Sequence, residues 1–120
     1  MKKVVFSLMV TLLASFAASA QTKAIQTVKI QTPTVQCGMC KSKIETYLKR
    51  YDGINMVNVN YKGKVTTVKY ITDRINEEEI KTAIANAGYD AAEIEANPDA
   101  YKRLPKCCKK PEDGGGMPKN

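Results

Sequence analysis

The 120-residue sequence contains no histidine and no tryptophan, and phenylalanine occurs only twice. Histidine is the side chain that most often acts as a general base near neutral pH, and it is the commonest nitrogen ligand of metals. Its absence leaves the chain without a candidate base and leaves the thiols as the one kind of activated nucleophile. We therefore expect no enzyme activity, and any metal site must be built from other ligands.

Long apolar runs are also scarce, and the longest occurs at the start of the chain. Basic residues open the sequence, residues 4–13 are apolar, and the small residues at 18–20 resemble a cleavage site. This pattern is typical of a secretory signal peptide and is too short for a membrane anchor. No cysteine follows the run, which argues against a lipid anchor. The sequence therefore predicts a signal peptide over residues 1–20, cleavage before Gln21, and export to a compartment such as the periplasm.

Basic residues outnumber acidic ones, with 19 Lys and Arg against 12 Asp and Glu, and the formal net charge is +7. A basic balance can indicate a nucleic acid or an anionic surface as partner. Here the lysines are scattered and interleaved with glutamates, and tryptophan is absent. A solvated surface explains this pattern better than a charged binding face, so we expect no nucleic-acid partner.

Four cysteines are present, arranged as two tight pairs: Cys37 with Cys40, and Cys107 with Cys108. Scattered cysteines would suggest a disulfide framework in an exported protein, but two tight pairs do not. The first pair follows an extended apolar segment and precedes a helical one. A turn at a helix N-terminus favours thiolate over thiol, because unpaired backbone N–H groups and the helix dipole lie there. Such a pair can bind a soft metal ion or carry out disulfide chemistry.

The hydrophobic periodicity predicts strands over residues 24–32, 54–61, 65–71 and 89–95, and helices over residues 41–51 and 77–87. Asn76 and Glu79 form a capping-box pattern at the start of the second helix, and Gly88 is its stop. The order is β-α-β-β-α-β. With right-handed crossovers this is an α+β, ferredoxin-like sandwich with two helices on a four-stranded antiparallel sheet. In that topology Tyr89 lies at the same end as the first cysteine pair.

We assign residues 21–96 to this domain and residues 97–120 to a flexible tail that carries Cys107 and Cys108, with one short helical turn starting at Pro98. The tail spans at most ~35 Å between Ala96 and Cys107, so its thiols can reach the first pair. Three possibilities follow. The tail cysteines join one metal site of up to four sulfurs, form an independent thiol pair, or make a disulfide to the first turn.

The sequence from residue 29 to 94 resembles the heavy-metal-associated domain family, which includes copper chaperones, the metal-binding domains of heavy-metal P-type ATPases and the periplasmic mercury-binding protein of mercury resistance. The resemblance rests on the Cys37–Cys40 turn, Lys43-Ile44-Glu45, Gly53-Ile54, Glu78-Glu79-Ile80 and Gly88-Tyr89. It implies that Cys37 and Cys40 are thiolate ligands and that Tyr89 lies near the metal loop. Val35 stands where the family usually has a methionine that packs beneath the loop.

The sequence therefore predicts an exported carrier or scavenger of a soft metal ion. Two thiolates suit Cu(I) foremost and also Hg(II), because both accept low coordination and prefer sulfur, whereas Zn(II) or Cd(II) would need further ligands. The expected partners are the ion itself and a metal-transporting membrane protein or another metal carrier. We expect a monomer, with a metal-bridged dimer as an alternative. The competing hypotheses are a thiol–disulfide oxidoreductase that uses the same pair and a docking module without metal.

Overall fold

The computed structural model describes residues 24–116. Three strands and three helices make up this part of the chain: β1 (Ile25–Gln31), α1 (Gly38–Leu48), β2 (Ile54–Asn60), β3 (Val65–Ile71), α2 (Glu77–Asn86) and α3 (Pro98–Lys102). Two short 3₁₀ helices follow at Lys106–Cys108 and Pro111–Asp113. The predicted signal peptide and the last four residues of the tail lie outside the described residues. Within them, no helix is long and apolar enough to cross a membrane.

The sheet is antiparallel with the strand order β1-β3-β2. Residues that alternate along β2 and β3, such as Val57 and Val68, point into the core, while their neighbours face solvent. The same core contains Ile44 and Leu48 of α1 and Ile84 of α2. The burial pattern therefore confirms the predicted arrangement in which one apolar face of the sheet packs against the apolar stripes of the two longer helices.

Helix α2 begins where the sequence predicts. The Asn76 side chain accepts a hydrogen bond from the Glu79 N–H at 2.8 Å, and the Glu79 carboxylate accepts one from the Asn76 N–H at 3.0 Å. Both halves of the capping box are thus formed. Three glutamates in the first turn also stabilise the helix, because their negative charges interact favourably with the positive end of the helix dipole.

The predicted fourth strand over residues 89–95 is not formed, so the expectation of a four-stranded sheet is wrong for the described residues. Ala92 has a positive φ of 52°, which an extended strand does not accommodate, and Ala91 and Ile94 pair with each other across a tight turn. This turn still lies beside β1, because the Ala92 N–H donates to the Gln31 carbonyl at 2.8 Å. The segment occupies the edge where a fourth strand would pair, but it reverses there.

This reversal determines where the tail begins. The Asp90 side chain accepts a hydrogen bond from the Ala96 N–H at 2.8 Å, and the Asn97 N–H donates to the Ala85 carbonyl at 2.9 Å. The chain therefore enters the tail next to the C-terminal end of α2. A full strand would have carried it to the opposite end of the sheet.

The tail was expected to be flexible, with an unstructured remainder after residue 108. In the structure its described part is folded. The Asn97 side chain caps α3, as predicted for a turn starting at Pro98, and Leu104 is buried. The Tyr101 hydroxyl donates to the Asp113 carboxylate and accepts a hydrogen bond from the Lys110 N–H at 2.8 Å.

Candidate metal centre

The first cysteine pair lies at the start of α1, as the sequence predicts. Cys37 precedes the helix with an extended backbone (φ −151°, ψ 175°), and its carbonyl accepts the first helical hydrogen bond from the Lys41 N–H. Cys40 follows within the first turn. Both side chains are buried, and their sulfurs lie 3.4 Å apart. Side chains three positions apart lie on the same side of a helix, which explains why these two sulfurs are close.

The loop that carries Cys37 is held from two directions. The Lys64 ammonium, at the end of the β2–β3 hairpin, donates a hydrogen bond to the Val35 carbonyl. The Asp90 N–H, in the turn after α2, donates to the Thr34 hydroxyl at 3.0 Å. Val35 itself is fully buried beneath the loop, as its place in the sequence predicted. The first turn, the hairpin and the segment after α2 therefore meet at one end, as the topology required.

Lys64 and Thr34 are supporting residues that the sequence analysis missed. Neither belongs to a motif, and only the tertiary arrangement brings them to the loop. Lys41, by contrast, was considered as a charge that could offset a dithiolate. Its ammonium instead pairs with Glu45 at 2.8 Å and donates to the Val59 carbonyl at 3.0 Å, so it is directed toward β2.

The tail brings the second cysteine pair to the first. Cys107 and Cys108 lie in the 3₁₀ helix that follows Leu104 and Pro105, with Cys108 fully buried and Cys107 partly exposed. The Cys37 sulfur lies 3.4 Å from the Cys107 sulfur and 4.0 Å from the Cys108 sulfur. The sulfurs of Cys107 and Cys108 are 3.9 Å apart. The tail pair is therefore part of the same cluster, which excludes an independent tail pair in this conformation.

Cys40 and Cys108 are joined by a disulfide, with their Cα atoms 5.7 Å apart. Cys37 and Cys107 are the free thiols of the described chain. A disulfide between the tail and the first turn was one of the alternatives that the sequence left open. The structure thus shows an oxidised form of the cluster, in which one bond ties the tail across the site.

Two further side chains border the sulfurs. The thioether of Met39 lies 3.8 Å from the Cys107 sulfur, although the side chain is largely exposed. Tyr89 is fully buried, and its hydroxyl has no hydrogen-bond partner among the described residues. Burial raises the pKa of Tyr89, and negative charge on Cys37 and Cys107 raises it further, so the phenol stays protonated beside the thiols.

Hydrogen bonding to Cys37 raises the pKa of the Cys107 thiol, and burial and negative charge on Cys37 act in the same direction. Two thiols this close cannot both ionise easily, because the second negative charge is repelled by the first. A cation between them removes that repulsion. The ligand atoms of Cys37, Cys40 and Cys108 all lie within 4.8 Å of one another, a compact all-sulfur set. Such a set suits a thiophilic ion once the disulfide is reduced.

Comparison with known proteins identifies the family of this chain. The heavy-metal-associated domain family matches residues 23–90. A copper-exporting P-type ATPase of Staphylococcus aureus (strain Newman) is 30% identical over 80 residues, which is 67% of this chain and 10% of the ATPase. The chain thus spans about a tenth of the length of the curated relatives it matches. The family match contains Cys37 and Cys40 and ends before Cys107.

Solved structures share the fold. A structure described as the CopZ metallochaperone is 28% identical with a TM-score of 0.54, and the alignment covers 56% of this chain and all (100%) of that one. Oxidized MerP from Ralstonia metallidurans CH34, at 23% identity and a TM-score of 0.55 over 57% of this chain and 96% of that one, supports the fold alone. With a family match over more than half of its length and a cysteine pair at the start of α1, this chain belongs to the heavy-metal-associated domain family.

Proposed function

We propose that this protein is an exported carrier of a soft metal ion, foremost Cu(I), which it holds through the thiolates of Cys37 and Cys40. The observation that carries the proposal is the pair itself: two buried sulfurs 3.4 Å apart at a helix start. Two matched proteins, a metallochaperone and a copper-exporting ATPase, have names that point to copper or to metal handling. Because the chain has no histidine, the thiols are the donors at this site that a soft metal ion would prefer.

Metal binding requires the reduced form, because Cys40 is bonded to Cys108 in this structure. A dithiol reductant would supply two electrons and two protons, leaving two free thiols and becoming a disulfide itself. Binding the ion then releases the thiol protons. Delivery of the ion would proceed by ligand exchange, because an incoming thiolate of a partner can bond the ion before Cys37 and Cys40 leave it. The partner that fits is a metal-transporting membrane protein or another carrier.

The decisive measurement is an anaerobic Cu(I) titration of the reduced protein against a coloured Cu(I) chelator. We expect one ion per chain and weaker competition by Cys37→Ser and Cys40→Ser than by the wild type. Ser42→Ala is a matched control, because Ser42 is exposed on the same helix and offers no strong ligand. Sedimentation of the loaded protein separates a monomer from a metal-bridged dimer. Failure of the reduced protein to compete for any thiophilic ion would rule out the carrier function.

The second candidate is a thiol–disulfide oxidoreductase, and the Cys40–Cys108 disulfide is the observation that favours it. The free sulfur of Cys37 lies 4.0 Å from Cys108 and 3.4 Å from Cys40, so it faces both sulfurs of the bond. An oxidoreductase would exchange electrons with a disulfide substrate in metal-free buffer. A carrier would show slow exchange there and would bind its ion tightly when reduced. Measuring both rates on one preparation distinguishes the two functions.

A further inference from the structure

We propose that Cys107 and Cys108 are ligands of the same ion as Cys37 and Cys40, so that the reduced chain holds a closed four-sulfur site. Such a site takes a divalent ion that prefers four thiolates, such as Cd(II) or Zn(II), in addition to Cu(I). This inference rests on the proposed function for the first pair of ligands. It adds the second pair, which lies outside the residues that match the family.

Four of the six sulfur–sulfur separations fit tetrahedral coordination. A metal–sulfur bond of about 2.3 Å places the sulfurs of a tetrahedral site about 3.8 Å apart, whereas two sulfurs on opposite sides of one ion would be about 4.6 Å apart. The separations from Cys37 to Cys40, Cys107 and Cys108 are 3.4, 3.4 and 4.0 Å. That between Cys107 and Cys108 is 3.9 Å. These four of the six separations lie near the tetrahedral value. Cys40 and Cys108 are bonded to each other, and Cys107 lies outside the set of three sulfurs that are all within 4.8 Å of one another, so closing the site requires Cys107 to move toward Cys40.

The Cys40–Cys108 disulfide shows that the Cys108 sulfur can reach the first cysteine pair. Cys40 and Cys108 are close enough to share a covalent bond, so side-chain rotation after reduction is sufficient to separate their sulfurs to the spacing of two ligands. Reduction by a dithiol adds two electrons and two protons, and the reductant leaves as its own disulfide. Binding of the ion then displaces the protons of the four thiols. The oxidised and metal-loaded forms therefore exclude each other.

The tail is folded in a way that presents its cysteines inward. The Asn97 N–H is tied to the Ala85 carbonyl, and Leu104 is buried with only 6% of its surface exposed. Cys108 is fully buried, although a cysteine in a flexible tail would face solvent. The Cys107 sulfur also lies nearer to Cys37, at 3.4 Å, than to its neighbour Cys108, at 3.9 Å. The tail pair is thus arranged around the first pair, as ligands of one ion would be.

A closed site differs in function from an open one. Two thiolates leave most of the ion's surface accessible to a partner, while four thiolates enclose it. Release from a closed site would require the tail thiolates to leave the ion first, displaced by incoming thiolates of a partner. The tail would therefore act as a cap that retains the ion.

The test is Cd(II) binding by the reduced protein, followed by a short pulse of iodoacetamide and mass mapping of the alkylated cysteines. We expect one Cd(II) per monomeric chain and protection of all four cysteines. The double variant Cys107→Ser/Cys108→Ser should lose Cd(II) affinity by about 100-fold or more, since even loss of an outer-shell partner costs about 10–100-fold. The same variant should keep its Cu(I) binding through Cys37 and Cys40.

The control is Lys106→Ser, which alters the same 3₁₀ helix without removing a sulfur and should bind Cd(II) as the wild type does. Cys107→Ser alone provides a second test if the double variant fails to fold, because Cys107 is only partly buried. Rapid alkylation of Cys107 and Cys108 in the Cd(II)-loaded protein would overturn the inference. So would a dimer that holds one ion through Cys37 and Cys40 of each chain. Neither result would affect the carrier function, which fails if the reduced protein binds no thiophilic ion or if Cys37→Ser leaves all binding unchanged.

Discussion

Reduction of the Cys40–Cys108 disulfide should lower the stability of the metal-free protein by several kcal/mol. The bond joins residues 68 positions apart, so it closes a loop over most of the folded domain. In the chain-entropy description, closing a loop of that size reduces the entropy of the unfolded chain and raises its free energy by about 4 kcal/mol. With a slope of about 1.5 kcal/mol per molar urea for a small domain, the unfolding midpoint should fall by about 3 M on reduction.

The assay is urea unfolding of the metal-free protein, followed by circular dichroism, with and without a dithiol reductant. Cys107→Ser/Cys108→Ser removes the bond and also the alternative pairing of Cys37 with Cys107, whose sulfurs lie 3.4 Å apart, so it should respond weakly to reductant. Cys107→Ser keeps both bonded cysteines and should respond as the wild type does. An oxidised Cys107→Ser/Cys108→Ser protein as stable as the oxidised wild type would refute the reasoning. Peptide mapping that finds Cys37 bonded to Cys40 in the wild type would do the same.

Three further predictions concern the stability of the metal-free protein. Tyr89→Phe should raise the unfolding free energy of the metal-free protein by about 1 kcal/mol, because it removes a buried hydroxyl that has no partner among the described residues; a loss of stability in thermal unfolding would show that the hydroxyl is bonded. Gly88→Ala should cost about 1–3 kcal/mol in urea unfolding, because φ is 104° there and the added Cβ would lie 3.1 Å from Leu104. Gly38→Ala, with no atom within 4 Å of the new Cβ, is its control and should be neutral or stabilising. Asn76→Ala should cost about 1 kcal/mol by loss of the capping box, and a change below measurement error would contradict that role.

Local signals predicted most of the fold correctly. The capping box at Asn76, the alternation through β2 and the hydrophobic stripe of α1 each depend on residues close in sequence, and each appears in the structure. The fourth strand failed because its sequence alternates like a strand, while its backbone turns at Ala92. The hydrogen bond from Ala92 to Gln31 and the local pairing of Ala91 with Ile94 together hold that turn, and neither leaves a pattern in the sequence.

The sequence by itself determined the chemistry of this protein. It provides two pairs of cysteines, no histidine, and a pair of thiols spaced to meet at a helix start, and these facts favour sulfur over nitrogen as the donor to a soft metal ion. The tertiary structure alone decided how many sulfurs meet. Because the chain reverses at Ala92 and enters the tail beside α2, Cys107 and Cys108 arrive at the cysteine pair of α1. Contacts between residues about 70 positions apart depend on the path of the whole chain, so no local pattern specifies them.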